Sequence, residues 1–224
     1  VENTHNGGGG RVWPLALVRE VASTARELGL AVHLDGARLM NAVAASGVSA
    51  AEYGREFDTV ALCLSKGLGC PLGALVAGSR QRMAKARRFK HLFGGAMRQA
   101  GIVAAAGIYA LDHHVERLAD DHAHARRLAE GLAEAGLPVD LEQVETNFVQ
   151  IHPERIGIPA AEALALLRKE GVLVSFAAPR GVLRAVTHLD VLAEDVERAI
   201  DGAVRAFGAY ARSPVRKKAT ATPT

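Results

Sequence analysis

His33-Leu34-Asp35-Gly36-Ala37-Arg38 and Leu62-Cys63-Leu64-Ser65-Lys66-Gly67-Leu68-Gly69 decide how this chain is read. The first stretch closes the apolar run Ala31–Leu34 on a carboxylate. The second closes the apolar run Val60–Leu64 on a serine and a lysine in a glycine-rich turn. Short apolar runs bounded by turn residues read as buried parallel strands. Open α/β sheets hold ligands at the carboxyl ends of such strands, so Asp35 and Lys66 are expected at neighbouring strand ends. A lysine that forms a Schiff base and a carboxylate that pairs with a protonated pyridine nitrogen are what pyridoxal phosphate requires of a protein. A cofactor enzyme is the leading reading.

Working outward, Pro14 suits the first position of a helix, and Leu15, Val18, Ala22, Ala25 and Leu28 follow at spacings of three and four up to Gly29. A strand Ala31–Leu34, a short helix from Arg38 to Ser46, a turn-rich connection and a strand Thr59–Leu64 then make a βαβ unit with a right-handed crossover. Gly73–Ala77 reads as a further strand, antiparallel because it follows so closely. A basic helix, Arg80–His91, precedes Gly94-Gly95, and Gln99–His114 is an Ala-rich apolar helix expected to be buried or at a subunit interface. A charged amphipathic helix from Val115 to Gly136 leads into a smaller α+β pattern: strand Asn147–Ile151, helix Ala160–Glu170, strands Val172–Ser175 and Val182–Val186, helix Leu192–Tyr210. The expected domains are residues 1–114, the C-terminal part of a large domain with a mostly parallel sheet and flanking helices, and residues 115–212. Residues 1–13 read as a loop and residues 213–224 as a disordered tail.

Composition narrows the partners. Hydrophobic residues at 49% and charged residues at 23% are ordinary for a globular protein of 224 residues. The net charge of +3 is too small to argue for nucleic acid, and no apolar run is long enough to span a bilayer. Two cysteines, Cys63 and Cys70, fit a reducing cytoplasm better than a disulfide framework, and their spacing does not suit zinc. His113, His114, His122 and His124 do not converge on one helical face, so no metal site is expected. The chain opens on Val1 and meets the polar segment Glu2-Asn3-Thr4-His5-Asn6 at once. That reads as the middle of a domain, with an upstream portion expected to be absent.

Each candidate residue has an ordinary reading beside the chemical one. Lys66 is a solvated loop lysine, or an amine partly desolvated beside a bulky ligand that Gly67 and Gly69 admit. Asp35 caps the following helix, or keeps a pyridinium ring protonated. Arg38, three residues on, is exposed, or binds a carboxylate or phenolic oxygen through its planar fork. His5 belongs to a polar loop, or relays a proton from a substrate hydroxyl. Arg184, inside the apolar run Leu183–Val186, points to water from an edge strand, or clamps a carboxylate.

Taken together, Glu2-Asn3-Thr4-His5-Asn6, His33–Arg38, Leu64–Gly69, Gly94-Gly95-Ala96-Met97-Arg98-Gln99-Ala100-Gly101 and Val186-Thr187-His188 resemble the low-specificity L-threonine aldolases. These are pyridoxal phosphate enzymes of the aspartate-aminotransferase fold, fold type I, within the β-eliminating lyase group. The resemblance runs from Glu2 to about Phe207. It implies that Lys66 forms the internal aldimine and that Asp35 partners the pyridine nitrogen. It places Arg38 near the ring oxygen and the substrate carboxylate, makes Arg184 the principal carboxylate-binding arginine, and sets His5 against the β-hydroxyl. Ser65 and Arg98 lie in motifs of the family. About the first third of the family's chain is expected to be missing. It carries the phosphate-binding Gly-Thr turn and the residue that stacks on the ring. Ala96 stands where a third glycine is more usual.

The activity implied is aldol cleavage of L-threonine or L-allo-threonine to glycine and acetaldehyde, by a homo-oligomer built as a dimer of dimers, with no nucleic acid or membrane partner. The alternatives are another β-eliminating lyase or an aminotransferase of the same fold, or a catalytically silent truncated chain.

Overall fold

The computed structural model describes residues 1–177 and 181–211. The expected tail, with its basic run, lies outside them. The chain forms two compact units, Val1–Asn6 with Gly10–Asp120, and Gly7–Gly9 with the residues from Asp121 onward. The sequence pattern alone sets the division at Val115.

In the first unit, helix α1 (Leu15–Glu27) begins one residue after Pro14, whose carbonyl accepts from Val18 N–H at 3.1 Å. It ends in a Schellman motif: Gly29, at φ +72°, donates to the Arg26 carbonyl, and Leu30 donates to the Ala25 carbonyl, both at 2.9 Å. Strand β1 (His33–Asp35) pairs in parallel with β2 (Thr59–Cys63), placing Asp35 opposite Ala61. Strand β3 (Ala74–Gly78) pairs antiparallel with β2, as expected from the short connection, giving the order β1-β2-β3. Between β1 and β2 run α2 (Leu39–Ser46) and a short helix where the sequence pattern suggests only turns, α3 (Ala50–Gly54). Its signal is local: Ser49 and Glu52 form a capping box, with reciprocal hydrogen bonds to each other's backbone N–H groups. The core under the sheet gathers Val18, Ala22, Leu34, Tyr53, Leu62 and Leu64. The Tyr53 hydroxyl stays satisfied there by donating to the Trp13 carbonyl at 3.2 Å.

Residues 1–3 are not loop. Val1 accepts from Asp35 N–H at 2.8 Å and Asn3 donates to the Asp35 carbonyl at 3.0 Å, which lays this segment parallel alongside β1. Helices α4 (Arg80–Leu92) and α5 (Gly101–His113) follow β3. Helix α5 is not buried in this chain. It touches the core through Gly107 and Ala110, whereas Ile102, Ile108 and Tyr109 are 78%, 62% and 59% exposed.

The long helix α6 (Leu118–Glu134) starts three residues later than the sequence suggests. In the second unit β4 (Phe148–Ile151), β5 (Ser175–Phe176) and β6 (Leu183–Val186) form an antiparallel sheet ordered β4-β6-β5. Of the expected strand Val172–Ser175 only Ser175 pairs, since β5 is a two-residue strand. Helices α7 (Ala160–Lys169) and α8 (Ala193–Ala211) complete the unit. Its core holds Leu128, Leu132, Val149, Leu167, Leu183, Val196, Ile200 and Phe207. Gly131 lets α6 and α8 approach: a Cβ there would overlap the Ile200 side chain. No helix among the described residues is long and apolar enough to cross a membrane.

Two histidines of this unit, His122 and His152, are held below the ordinary histidine value of 6.5, chiefly by burial. The unfolded chain therefore takes up protons more readily than the folded one. The contribution to stability is fully present above 6.5 and is lost as pH falls from there through the lowered folded-state values. Urea midpoints are expected to drop on acidification below 6.5, and His122→Gln is expected to flatten that slope. An unchanged slope in the variant would rule out His122 as its source.

Candidate active site

The carboxyl end of the β1–β2 pair carries most of the sequence candidates. Asp35 is the last residue of β1. Lys66 follows the end of β2 by three residues. Because Val1–Asn3 also runs parallel to β1, the chain leaves that segment past the same end, towards His5. Parallel pairing alone therefore gathers Asp35, Lys66 and His5 at one edge of the first unit, although they are far apart in sequence.

Each is presented by local structure. Asp35 is exposed, and its Oδ1 accepts from Ala37 N–H at 3.0 Å in an Asx turn. Gly36 is required where the chain leaves β1, because a Cβ there would lie 2.7 Å from the Ala61 carbonyl oxygen. Arg38, half-buried, is the residue before the first turn of α2. The His5 imidazole is half exposed, with Nε2 3.4 Å from Glu2 Oε2. Ser65 is exposed and its hydroxyl lies 3.4 Å from Cys63 Sγ.

Lys66 is exposed in this chain, not partly desolvated, and its amine makes no hydrogen bond or ion pair among the described residues. The turn beneath it is rigidly built. Gly69 N–H donates to the Lys66 carbonyl at 2.8 Å, Cys70 N–H donates to the Leu64 carbonyl at 3.0 Å, and Gly69 has φ +72°. Gly67 is wedged between α2 and the start of α6. A Cβ on it would stand 2.9 Å from Leu118 Cδ2 and 3.1 Å from Asn41 Oδ1. Gly67→Ala is accordingly expected to destabilise the first unit by ~1–3 kcal/mol, the usual range for overpacking, as read from urea denaturation. An unchanged midpoint would show that Leu118 and Asn41 yield freely.

Arg184 belongs to the second unit, and its strand is not an edge. β6 is the central strand, with Arg184 opposite Gln150 of β4 and Ser175 of β5. The guanidinium lies 5.2 Å from the centre of the Phe148 ring and Nη2 donates to Ser175 Oγ at 3.3 Å. An aromatic face and a hydroxyl thus accommodate the charge that an apolar strand would otherwise exclude. Arg98 is exposed in the turn before α5. Thr187 of the Val186-Thr187-His188 motif ties the second unit together. Its buried hydroxyl donates to the Asp121 carbonyl at 2.6 Å, and its own carbonyl accepts from Asn147 Nδ2 at 2.8 Å. The sequence pattern gives no role to Asn41, nor to His114 outside a rejected metal reading. No spacing signals either one, because both meet the lysine turn only through the tertiary fold.

Residues 1–154 match the β-eliminating lyases. The chain belongs to the β-eliminating lyase family. Among curated relatives of this β-eliminating lyase, the low-specificity L-threonine aldolase of Escherichia coli K12 is 43% identical over 88% of the chain and 56% of its own length. The chain thus spans just over half the length of the curated relatives it matches most strongly. Its fold is that of fold-type-I enzymes. The threonine aldolase of Leishmania major superposes with a TM-score of 0.74 at 19% identity, over 92% of this chain and 59% of that one. A structure of SPT with its PLP internal aldimine superposes with a TM-score of 0.67 at 20% identity, over 93% and 54%.

The SPT structure holds pyridoxal phosphate as an internal aldimine. The residues of the first unit fit its reactive end and its ring nitrogen: an exposed primary amine and an exposed carboxylate share one sheet end. Lys66 would hold the aldehyde carbon and Asp35 the ring nitrogen, with Arg38 and Ser65 beside them.

Proposed function

We propose that this chain carries the lysine-bearing part of a pyridoxal phosphate site that cleaves β-hydroxy amino acids, L-threonine or L-allo-threonine, to glycine and acetaldehyde. The observation that carries the proposal is the placement of Asp35 and Lys66 at the carboxyl ends of paired parallel strands. The identity to the Escherichia coli low-specificity L-threonine aldolase supports this choice of substrate.

When bound, the cofactor supplies an electron sink for the pair of electrons left on the substrate's α carbon. The chain's own residues do the rest. Lys66 Nζ would hold the cofactor at its aldehyde carbon. Asp35 keeps a proton on the ring nitrogen. Arg184 and Arg38 bind the substrate carboxylate, and so set which bond at the α carbon is aligned for cleavage. His5 takes the proton of the β-hydroxyl as the Cα–Cβ bond breaks. The hydroxyl-bearing carbon leaves as the aldehyde, and the α carbon then takes up a proton to give glycine. The exposed apolar face of α5 supports assembly as a homo-oligomer, for which the resemblance implies a dimer of dimers, and two free cysteines support a reducing compartment such as the cytoplasm.

Product analysis tests the proposal. With pyridoxal phosphate and L-threonine, glycine and acetaldehyde are expected in equal amounts. 2-Oxobutyrate with ammonia would indicate a β-elimination enzyme, an amino group passed to an oxo acid would indicate an aminotransferase, and no turnover would sink the proposal for this chain. Asp35→Asn keeps the acceptor for Ala37 N–H but removes the negative charge. It is expected to leave the fold intact and to slow cleavage roughly 10²–10³-fold, as removal of an electrostatic stabiliser commonly does. A rate within twofold of the parent would exclude the ring-nitrogen role.

A further inference from the structure

We infer that His114 is a positioning residue for Lys66. Its imidazole Nδ1 lies 2.7 Å from the Leu68 carbonyl oxygen, 46 positions away in sequence and two residues after Lys66. A carbonyl only accepts, so Nδ1 must carry the proton, which fixes the ring tautomer. Leu68 is 3% exposed and His114 is half-buried, so water competes poorly for this bond. The helix behind the ring is itself held against the turn: Leu64 packs onto Gly107 of α5, and Cys70 Sγ donates to the Ala106 carbonyl at 3.4 Å. Tyr109 meets the His114 ring edge-on, with centroids 5.5 Å apart.

The consequence is mechanical. The Lys66 turn closes on itself through the Gly69–Lys66 and Cys70–Leu64 hydrogen bonds, and Gly67 is pinned by Leu118 and Asn41. The bond from His114 reaches the turn from the C-terminal end of α5 and holds it as well. Together they hold the backbone beneath an exposed lysine amine, which is how a long flexible side chain is delivered to a fixed reaction centre.

Asparagine and glutamine separate this role from general packing. The amide nitrogen of Asn lies about where Nδ1 of histidine does, whereas that of Gln lies near Nε2. Hydrogen exchange of the peptide spanning residues 64–72 in the full 224-residue chain is the first readout. His114→Gln is expected to speed exchange of the Gly69 and Cys70 amides about five- to tenfold, the effect of losing one ordinary hydrogen bond. His114→Asn is expected to stay near the parent, and His113→Gln, at the neighbouring residue, to change nothing.

The second readout is the rate at which Lys66 takes a pyridoxyl group from pyridoxal phosphate and borohydride. It is expected to fall in His114→Gln and return in His114→Asn. This readout alone rests on the function proposed above. If parent Lys66 takes no label while the exchange pattern holds, the cofactor reading fails and the positioning role stands. If Asn and Gln behave alike in exchange, whether both resemble the parent or both loosen the turn, the positioning role is overturned whatever the labelling shows.

Discussion

Lys66→Ala is expected to abolish site-specific pyridoxylation completely. Borohydride treatment of the parent chain with pyridoxal phosphate should place the pyridoxyl group on the peptide containing Lys66, while the alanine variant should show only the slow, scattered labelling of surface lysines. The argument is geometric. Lys66 leaves a rigid turn at the end of β2, its amine makes no ion pair among the described residues, and Asp35 ends the neighbouring strand. Basic residues elsewhere, such as Lys85 and Lys90, lie on α4, a helix with no buried residue. Their labelling should follow exposure alone. Lys66→Arg is expected to fail equally, since a guanidinium keeps the charge but not the nucleophilic amine. If Lys85 or Lys90 labelled as fast as Lys66 in the parent, the cofactor site would have to be moved or abandoned.

Leu34→Ala is the largest stability effect expected in the first unit. Leu34 is fully buried in the middle of β1, in one cluster with Val18, Ala22, Tyr53 and Leu62. Truncation removes buried methyl groups and leaves a cavity that a sheet flanked by helices closes only in part. A loss of ~2–5 kcal/mol is the usual range. That is a large share of the ~5–15 kcal/mol that keeps a typical domain folded. The next residue is Asp35, so the loss should also appear as weaker pyridoxylation of Lys66 at urea concentrations the parent tolerates. A midpoint shift corresponding to less than about 1 kcal/mol would mean that β1 is not the packed centre of this unit.

Local chemistry explains which expectations the structure meets. The strands at Leu34 and Leu62, the helix closed by Gly29 and the antiparallel return of β3 are all legible, because apolar runs, a left-handed glycine and a short connection each act within a few residues. The helix at Ala50–Gly54 is legible only through its Ser49–Glu52 capping box, since its single turn is too short to show a periodicity. Other features have no local signal. Val1–Asn3 reads as polar loop because its partner, Asp35, lies more than thirty residues on. An edge position is one of the two readings open for Arg184, because nothing in Leu183–Val186 announces a strand on either side, or the Phe148 ring that accommodates its charge. The apolar character of α5 suggests burial or a subunit interface, and the described elements of this chain cover only its Gly107–Ala110 side.

The sequence by itself determined the chemical groups and the order in which they are presented: a carboxylate ending one apolar run, an amine following the next, and glycines where the backbone must pass closely. Those properties depend on side-chain identity and on conformations fixed over a few residues. Only the tertiary structure decided that His5 leaves past the same sheet end as Asp35, that Arg184 lies in a central strand, and that His114 holds the lysine turn through Leu68. Each of these rests on a hydrogen bond or strand pairing between residues distant in sequence. Such partners are chosen by how the helices and strands pack together, and local pattern leaves that choice open.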